Sequence, residues 1–278
     1  MPKVDSNTLQ LSDIAGLLPK PVTAFVELPS KGNFYDKNIV KDGKVELAPM
    51  SAREEKLIAG MRGNNVDDVI DMVLNRCLKT KLNPDDLLVT DRFFILLALR
   101  ANSYGEDYNF DLTCGSCDKV AKYTVKIPND LKMKWAKDTD LEPFEITLPV
   151  SKLNIGFRLM RGKDTKDVKR YITRETKQFN VDGDPGYLYR LAKQIVSVNG
   201  KNLDIITALE LVSRLPAKDS AFMKNAFDKK TPGVLTAITK ECVGCGRQIV
   251  ADLPMSAEFF RPDDSPEDEP DGDAVNTD

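Results

Sequence analysis

The chain has 278 residues, of which 41% are hydrophobic and 30% are charged, so it can form one large or two ordinary domains. It contains no histidine, which excludes the Ser-His and Cys-His pairs that activate nucleophiles in many enzymes. The net charge of −3 hides an acidic stretch after Arg261 with eight acidic residues and no basic ones. The remaining body is mildly basic, too weakly to argue for nucleic-acid binding.

Residues 1–21 form a polar lead without an apolar signal segment. The longest apolar run, at residues 93–99, is far too short to span a membrane. We therefore expect synthesis in the cytoplasm, where thiols stay reduced. The composition of residues 261–278 predicts a disordered tail, either solubilising or an acidic docking arm.

The first half reads as a hairpin followed by helices. Residues 22–28 and 44–47 have strand-like patterns, with turn residues between them. Ser51 and Glu54 form a capping box that predicts a helix to about residue 61. A stripe from Val66 to Cys77 has helical spacing and places Cys77 in the core. From Asp91 we expect a buried helix.

The pattern then begins again at residue 144. Residues 144–149 and 154–159 read as strands, and a helix begins at Asp164. The alternating charges at residues 163–167 look like a solvated helix start. Further helices are predicted at residues 187–196 and 203–215, and another from Asp219.

Two Cys-x-x-Cys loops have matching surroundings. Cys114 and Cys117 lie between two alternating apolar runs, and so do Cys242 and Cys245. Each loop is therefore predicted at the tip of a β-hairpin. Tetrahedral zinc needs four ligands, so both loops together would form one structural Zn²⁺ site per chain, with no open position for catalysis.

Other interpretations of the cysteines remain open. A redox pair belongs at a helix N-terminus, whereas these pairs lie in hairpin turns. A disulfide is disfavoured in a reducing compartment. Inert thiols, iron in place of zinc, and a homodimer that shares two sites are further alternatives.

The spacing of the landmarks indicates a tandem duplication. Asp91 precedes Cys114 by the same 23 residues that separate Asp219 from Cys242, an offset of 128. The upstream Leu-Pro pairs at 28–29 and 148–149 are offset by 120. We assign the eight additional residues of the second copy to a loop at residues 182–186. The alternative is two unrelated hairpin knuckles.

The sequence thus predicts an α+β fold of tandem duplicated units, each with a β-hairpin, several helices and a Cys-x-x-Cys β-hairpin, joined by a shared zinc-ribbon-like site. The predicted divisions are a lead at 1–21, a first repeat at 22–130, a linker at 131–143, a second repeat at 144–260 and a tail at 261–278. The carboxylates form no acid-base or calcium pattern, and Gly156 and Gly162 form no phosphate loop. We therefore expect a non-enzymatic protein without a small-molecule substrate.

Several short motifs in fixed order resemble the T4-like bacteriophage baseplate hub family, which includes a hub subunit and a hub assembly catalyst. The motifs are Leu28-Pro29-Ser30-Lys31-Gly32, Phe34-Tyr35, Met50-Ser51, Asp91-Arg92, Arg100 to Gly105, Tyr108 and Cys114-x-x-Cys117. The resemblance covers residues 20–260. It implies a phage protein made in the host cytoplasm that binds other baseplate hub proteins, either as an assembly chaperone or as a virion subunit.

Two segments are candidate partner surfaces, the loop at residues 28–32 and the pair Phe259 and Phe260. The alternative function is a zinc-ribbon protein that binds nucleic acid, although basic residues do not cluster around the loops: Lys119 and Lys122 flank one, and Lys240 and Arg247 flank the other. A thiol oxidoreductase is a third hypothesis. No membrane partner is expected.

Overall fold

Helices and short antiparallel strands alternate in the computed structural model, which describes residues 16–18, 20–61, 66–178, 183–254 and 257–260. The architecture is α+β, as the sequence predicts. Most of the predicted lead at 1–21 and the whole tail at 261–278 lie outside the described residues.

The first half begins with a hairpin on which three helices pack. Strand β1 (Ala24–Glu27) pairs antiparallel with β2 (Lys44–Leu47). Helices α1 (Ala52–Ala59), α2 (Val66–Cys77) and α3 (Val89–Tyr104) follow. The first cysteine hairpin consists of β3 (Asp107–Thr113) and β4 (Val120–Lys126), and strand β5 (Lys132–Lys134) comes next.

Local sequence signals account for these boundaries. Helix α1 begins at the predicted capping box, where the Ser51 side chain accepts the N–H of Arg53 and Glu54 accepts the N–H of Ser51. Helix α2 buries the predicted stripe, and Cys77 is only 2% exposed. Helix α3 ends at Gly105, whose φ of 90° lies outside the helical range.

Strands and helices alternate in the second half as well. Strands β6 (Phe144–Thr147), β7 (Asn154–Phe157), β8 (Ile195–Val198) and β9 (Lys201–Asn202) form one antiparallel sheet in that order. The helices are α4 (Gly162–Gln178), α5 (Tyr187–Gln194), α6 (Ile205–Arg214) and α7 (Ala217–Lys230). Strand β10 (Gly233–Leu235) pairs with β5, and β11 (Ala237–Glu241) with β12 (Gln248–Asp252) forms the second cysteine hairpin.

One boundary prediction in the second half is wrong. The helix predicted at residues 187–196 ends at Gln194, because Ile195 begins β8 and pairs with Phe157 of β7. The residues of β8 are mostly β-branched, which suits a strand. The assignment of eight additional residues to the loop at 182–186 stays a prediction, because residues 179–182 lie outside the described part of the chain.

Three apolar clusters hold the elements together. The first joins the β1–β2 hairpin to α1, α2 and α3. The second joins the β6–β7 strands to α5, α6 and α7, and includes Leu88 just before α3. The third lies beneath the two cysteine hairpins and contains Leu97 of α3. Helix α3 therefore contacts two clusters directly, which explains why Ile95, Leu97 and Leu99 are fully buried.

Neither of the two candidate partner surfaces is a free surface. Leu28 and Ser30 are fully buried, and Lys31 forms an ion pair with Asp138 at 2.9 Å. Phe259 is fully buried and Phe260 is half-buried. The loop at residues 28–32 and the phenylalanine pair belong to the scaffold, because both pack on apolar residues of the core.

A buried aspartate near the start of a helix holds the turn after the first strand in each half. The Asp91 carboxylate accepts the N–H of Ser30 at 3.2 Å and the Tyr35 hydroxyl at 2.6 Å. The Asp219 carboxylate accepts the N–H groups of Val150 and Ser151, both at 2.8 Å. Both carboxylates are 0% exposed, so each turn is tied to the helix that lies behind it.

The two aspartates differ in proton affinity. Burial raises the pKa of Asp91 to about 6, although the hydrogen bonds from Ser30 and Tyr35 act against that rise. Burial alone would also raise the pKa of Asp219, but the N–H groups of Val150 and Ser151 outweigh it and hold that pKa below its usual value. Asp91 is therefore stabilising in its protonated form, and Asp219 in its charged form.

We expect Asp91→Asn and Asp219→Asn to change the pH dependence of stability in opposite directions. The contribution of Asp91 is complete below the unfolded pKa near 3.8 and is lost as pH rises through about 6. The unfolding free energy of Asp91→Asn, relative to that of the unmodified protein, should therefore rise by up to about 3 kcal/mol between pH 4 and pH 7. Asp219→Asn should lose relative stability at lower pH, as pH rises from about 2 to about 4, since charged Asp219 stabilises the fold above its unfolded pKa.

Urea unfolding at a series of pH values, followed by circular dichroism, measures both effects. Each variant serves as the control for the other, because the two carboxyls lie at corresponding places. A change of the same sign in both variants would contradict the assignment.

Candidate metal centre

The two cysteine loops have the same backbone conformation. The N–H of Cys114 donates to the carbonyl of Lys119 at 2.9 Å, and the N–H of Cys242 donates to that of Arg247 at 2.8 Å. Asp118 and Gly246 follow the loops with φ of 55° and 71°, and both return an N–H to the first cysteine of their loop at 2.9 Å. These turns place two sulfur atoms on one side of each hairpin tip.

Further backbone groups orient the first sulfur of each loop. The N–H of Ser116 points to Cys114 Sγ at 3.4 Å, and the N–H of Gly244 points to Cys242 Sγ at 3.3 Å. N–H groups directed at sulfur favour thiolate over thiol, because they stabilise the negative charge. Both loops thus favour a thiolate at the first cysteine.

Apolar packing brings the two hairpins together. Tyr108, Phe110 and Leu112 of β3 are buried with Ile238 of β11 in one cluster. Polar contacts across the pair add to this packing. The Tyr123 hydroxyl donates to the carbonyl of Glu241 at 3.1 Å, and Lys240 Nζ donates to that of Thr124 at 2.7 Å.

The hairpin tips approach so closely that one position has little room for a side chain. A Cβ on Gly244 would lie 2.7 Å from the Lys119 side chain and 3.5 Å from Cys117 Sγ. The Lys119 chain is flexible and can move, but the sulfur belongs to the opposite loop. Glycine at this position lets the second loop lie directly against the first.

The four sulfur atoms lie together at the hairpin tips, as the sequence predicts. All four are within 4.8 Å of one another. Cys114 Sγ is 3.8 Å from Cys245 Sγ, and Cys117 Sγ is 3.6 Å from Cys242 Sγ. A tetrahedral ion with metal–sulfur bonds of about 2.3 Å separates its ligands by about 3.8 Å. The cluster therefore has the size and donor set for a metal such as zinc.

The sulfurs perturb one another when no cation separates them. N–H groups of Cys245 and Gly244 lower the pKa of Cys242 to about 6, and the N–H of Ser116 lowers that of Cys114. Although the N–H of Lys119 acts in the opposite direction, the sulfurs of Cys245 and Cys242 raise the pKa of Cys117 to about 12. Four thiolates this close repel one another, so their simultaneous ionisation needs a cation.

Access to the cluster is uneven. Cys114 and Cys242 are buried, whereas Cys117 and Cys245 are exposed.

The fifth cysteine, Cys77, lies apart in the first apolar cluster, and burial raises the pKa of its thiol to about 11. Its predicted place in the core is confirmed. Among the described residues, no other group of three or more acidic or cysteine side chains lies at metal-binding distance.

A family model described as T4 bacteriophage base plate protein matches residues 21–261. The chain belongs to this family. The match covers most of the chain and agrees with the resemblance carried by its short motifs. Family membership indicates a structural protein of the phage baseplate and favours a non-enzymatic role. Neither a search of curated proteins nor one of solved structures gives a significant match.

Membership in a baseplate family indicates contact with other phage structural proteins. Within the described part of the chain, no helix is long and apolar enough to cross a membrane.

The motifs that carry the family resemblance form internal contacts. Ser30 is held by Asp91, and Arg100 Nη1 donates to the carbonyl of Gly105. Arg92 forms a buried ion pair with Asp71 at 2.5 Å, which the sequence did not reveal, since the partners lie on different helices. A second feature missed from the sequence is a row of basic residues along one face of α4. The alternating charges at 163–167 concealed its helical spacing.

We expect Phe259→Ala to separate the two cysteine hairpins from their common support. Phe259 is fully buried and its ring lies 4.9 Å from that of Tyr108, on the same cluster as both hairpins. Loss of a buried phenylalanine side chain costs about 3–5 kcal/mol of unfolding free energy. Urea unfolding, followed by the fluorescence of the single tryptophan, measures the loss.

Phe222→Ala is the matched control, because Phe222 is 43% exposed on α7. It should cost under about 1 kcal/mol. Equal losses in the two variants would contradict the proposed role of Phe259.

Proposed function

We propose that this protein is a non-enzymatic component of the phage baseplate hub, either a structural subunit or an assembly chaperone. It acts by contact with other hub proteins, in the host cytoplasm during assembly and in the virion tail if it is retained. The family match over residues 21–261 carries the proposal. The motifs at residues 28–35 and 91–108 support the narrower assignment to the hub by their resemblance to hub proteins.

We further propose that Cys114, Cys117, Cys242 and Cys245 bind one structural Zn²⁺ per chain. Sulfur distances of 3.6 and 3.8 Å fit tetrahedral thiolate coordination. Four protein ligands would close the coordination sphere, which leaves no position for a substrate. The ion would link hairpins that are 125 to 131 residues apart in the chain, and would therefore stabilise the fold.

A tandem duplication would explain the repeated geometry, and we propose it as the origin of the fold. Helices α3 and α7 begin at Val89 and Ala217, and β4 and β12 begin at Val120 and Gln248, all at the predicted offset of 128. The two buried aspartates and the identical cysteine turns follow the same offset. The halves would correspond to residues 22–130 and 144–260, with a linker at 131–143.

Nucleic-acid binding by the zinc-ribbon-like tip has less support. Lys240 is engaged with the carbonyl of Thr124, and Lys119 lies against Gly244 of the opposite loop. These two side chains take part in the contact between the hairpins, which restricts their movement towards a phosphate. A gel-shift assay with binding that weakens steeply as salt rises would favour this alternative over the hub role.

Metal analysis of the purified full-length chain should find one zinc per chain. Because the ion would stabilise the folded state alone, chelation should lower the melting temperature by several degrees, and added Zn²⁺ should restore it. Cys114→Ser with Cys242→Ser should abolish both the metal and the response to the chelator. Cys77→Ser is the matched control and should retain the zinc, because Cys77 lies outside the cluster. An intact fold with no metal would refute the zinc proposal.

Coexpression with the other hub proteins should give a complex that survives affinity purification and gel filtration. We expect the double cysteine variant to lose the complex, since it loses the link that holds the two hairpins. The Cys77→Ser variant should keep it. Failure of the zinc-loaded protein to bind any baseplate protein would contradict the hub role and leave the metal assignment intact.

Mass spectrometry of purified virions then separates the two forms of the role. A structural subunit should be present in the particle, and an assembly chaperone should be absent from it.

A further inference from the structure

A groove between α4 and the start of α2 is lined mostly by basic side chains. It has a volume of about 570 Å³ and is open to solvent. Five basic residues and Thr173 come from α4, and Asp67 and Asp68 come from α2. The basic residues are Lys166, Lys169, Arg170, Arg174 and Lys177. Their spacing puts them on one continuous face of the helix.

The neutralisation of this charge is uneven along the groove. Lys166 is shared between Asp71 and Asp85, both at 2.6 Å, so that end is neutralised by scaffold residues. Towards the other end, Arg170 and Arg174 contact only acidic residues of their own helix, at 3.3 and 3.4 Å, and their side chains are 78% and 62% exposed. Within the described residues, Lys177 makes no ion pair. This half of the groove is suited to an anionic segment.

Aromatic packing holds part of the basic face in position. The Arg174 guanidinium lies 5.4 Å from the centre of the Tyr171 ring, which stacks on Tyr189 at 4.2 Å. A side chain restrained in this way loses less conformational entropy when it binds an anion. Arg174 is therefore better placed to pair with an anion than a freely moving arginine on the surface would be.

The chain carries a segment with the complementary charge. Residues 263–273 contain seven acidic residues, and residues 262–278 contain no basic one. The attachment point is fixed, because Phe260 packs on the first apolar cluster and lines a small apolar pocket together with Val69, Ile70 and Val73 of α2. The first turn of that helix supplies Asp67 and Asp68 to the groove. The 13 residues from 261 to 273 can span up to about 45 Å, more than enough to pass around a helix about 10 Å wide.

We propose that the acidic segment at residues 263–273 binds in the groove of its own chain, along Arg170, Arg174 and Lys177. Tethering supplies an effective concentration in the millimolar range, so several weak surface ion pairs suffice for occupancy. The segment then acts as a built-in competitor. An acidic segment of another protein gains the groove only by displacing it.

Zero-length cross-linking of the full-length chain tests this proposal. A carbodiimide joins a carboxylate directly to an amine in contact with it, and mass spectrometry identifies the joined peptides. We expect links from residues 263–273 to Lys169 and Lys177, which should fall at least about fivefold in 0.5 M salt, where charges are screened within about 4 Å. Links spread equally to Lys218 and Lys229 would overturn the proposal.

Charge reversal distinguishes the groove from general attraction. Arg170→Glu with Arg174→Glu keeps both reactive lysines and should lower their links to the tail about tenfold. Lys218→Glu with Lys229→Glu reverses two exposed charges on α7 and should leave those links unchanged. Circular dichroism verifies the fold of each variant, and the salt series on the unmodified chain gives an independent result. An unchanged yield in the Arg170→Glu/Arg174→Glu variant would overturn the proposal.

Isotope mixing identifies the occupant. Cross-linking an equal mixture of ¹⁵N-labelled and unlabelled chains should give tail links within one isotopic form. Links between labelled and unlabelled peptides would assign the groove to the tail of a second copy, and would overturn occupancy by its own tail.

Discussion

Apolar packing beneath the two cysteine hairpins is the interaction on which their arrangement depends. Thiolates within 4.8 Å cannot all remain ionised unless a cation lies between them. The backbone N–H groups around Cys114 and Cys242 favour ionisation, so the loops are arranged for a cation. Two-stranded hairpins are marginal alone, and here they share one apolar cluster with Leu97 of α3. Packing thus holds together four sulfur atoms whose charged forms repel one another.

Local signals made much of this fold predictable from sequence. The Ser51–Glu54 capping box, the stripe ending at Cys77 and the alternation around each cysteine pair are determined by neighbouring residues, and each appears as expected. The pairing of the cysteine loops also followed, because zinc chemistry needs four ligands and each loop offers two.

Contacts between residues that are distant in sequence could not be predicted in this way. The residues near Phe259 in sequence do not indicate that its ring packs against that of Tyr108. Likewise, residues 132–134 carry no signal that they pair with residues 233–235. The end of α5 was misplaced for the same reason, since Ile195 leaves the helix to pair with β7. Basic residues at helical spacing on α4 were a usable local signal, but the acidic residues among them hid it.

The order in which the residues are synthesised determines when the cysteine cluster can form. Cys245 is synthesised 131 residues after Cys114, which corresponds to about 10 s at ordinary rates of translation. During that interval the first loop has only two of the four sulfurs, and a chain that stops before the second loop never acquires the others. The four sulfur atoms can therefore come together only after Cys245 has been synthesised.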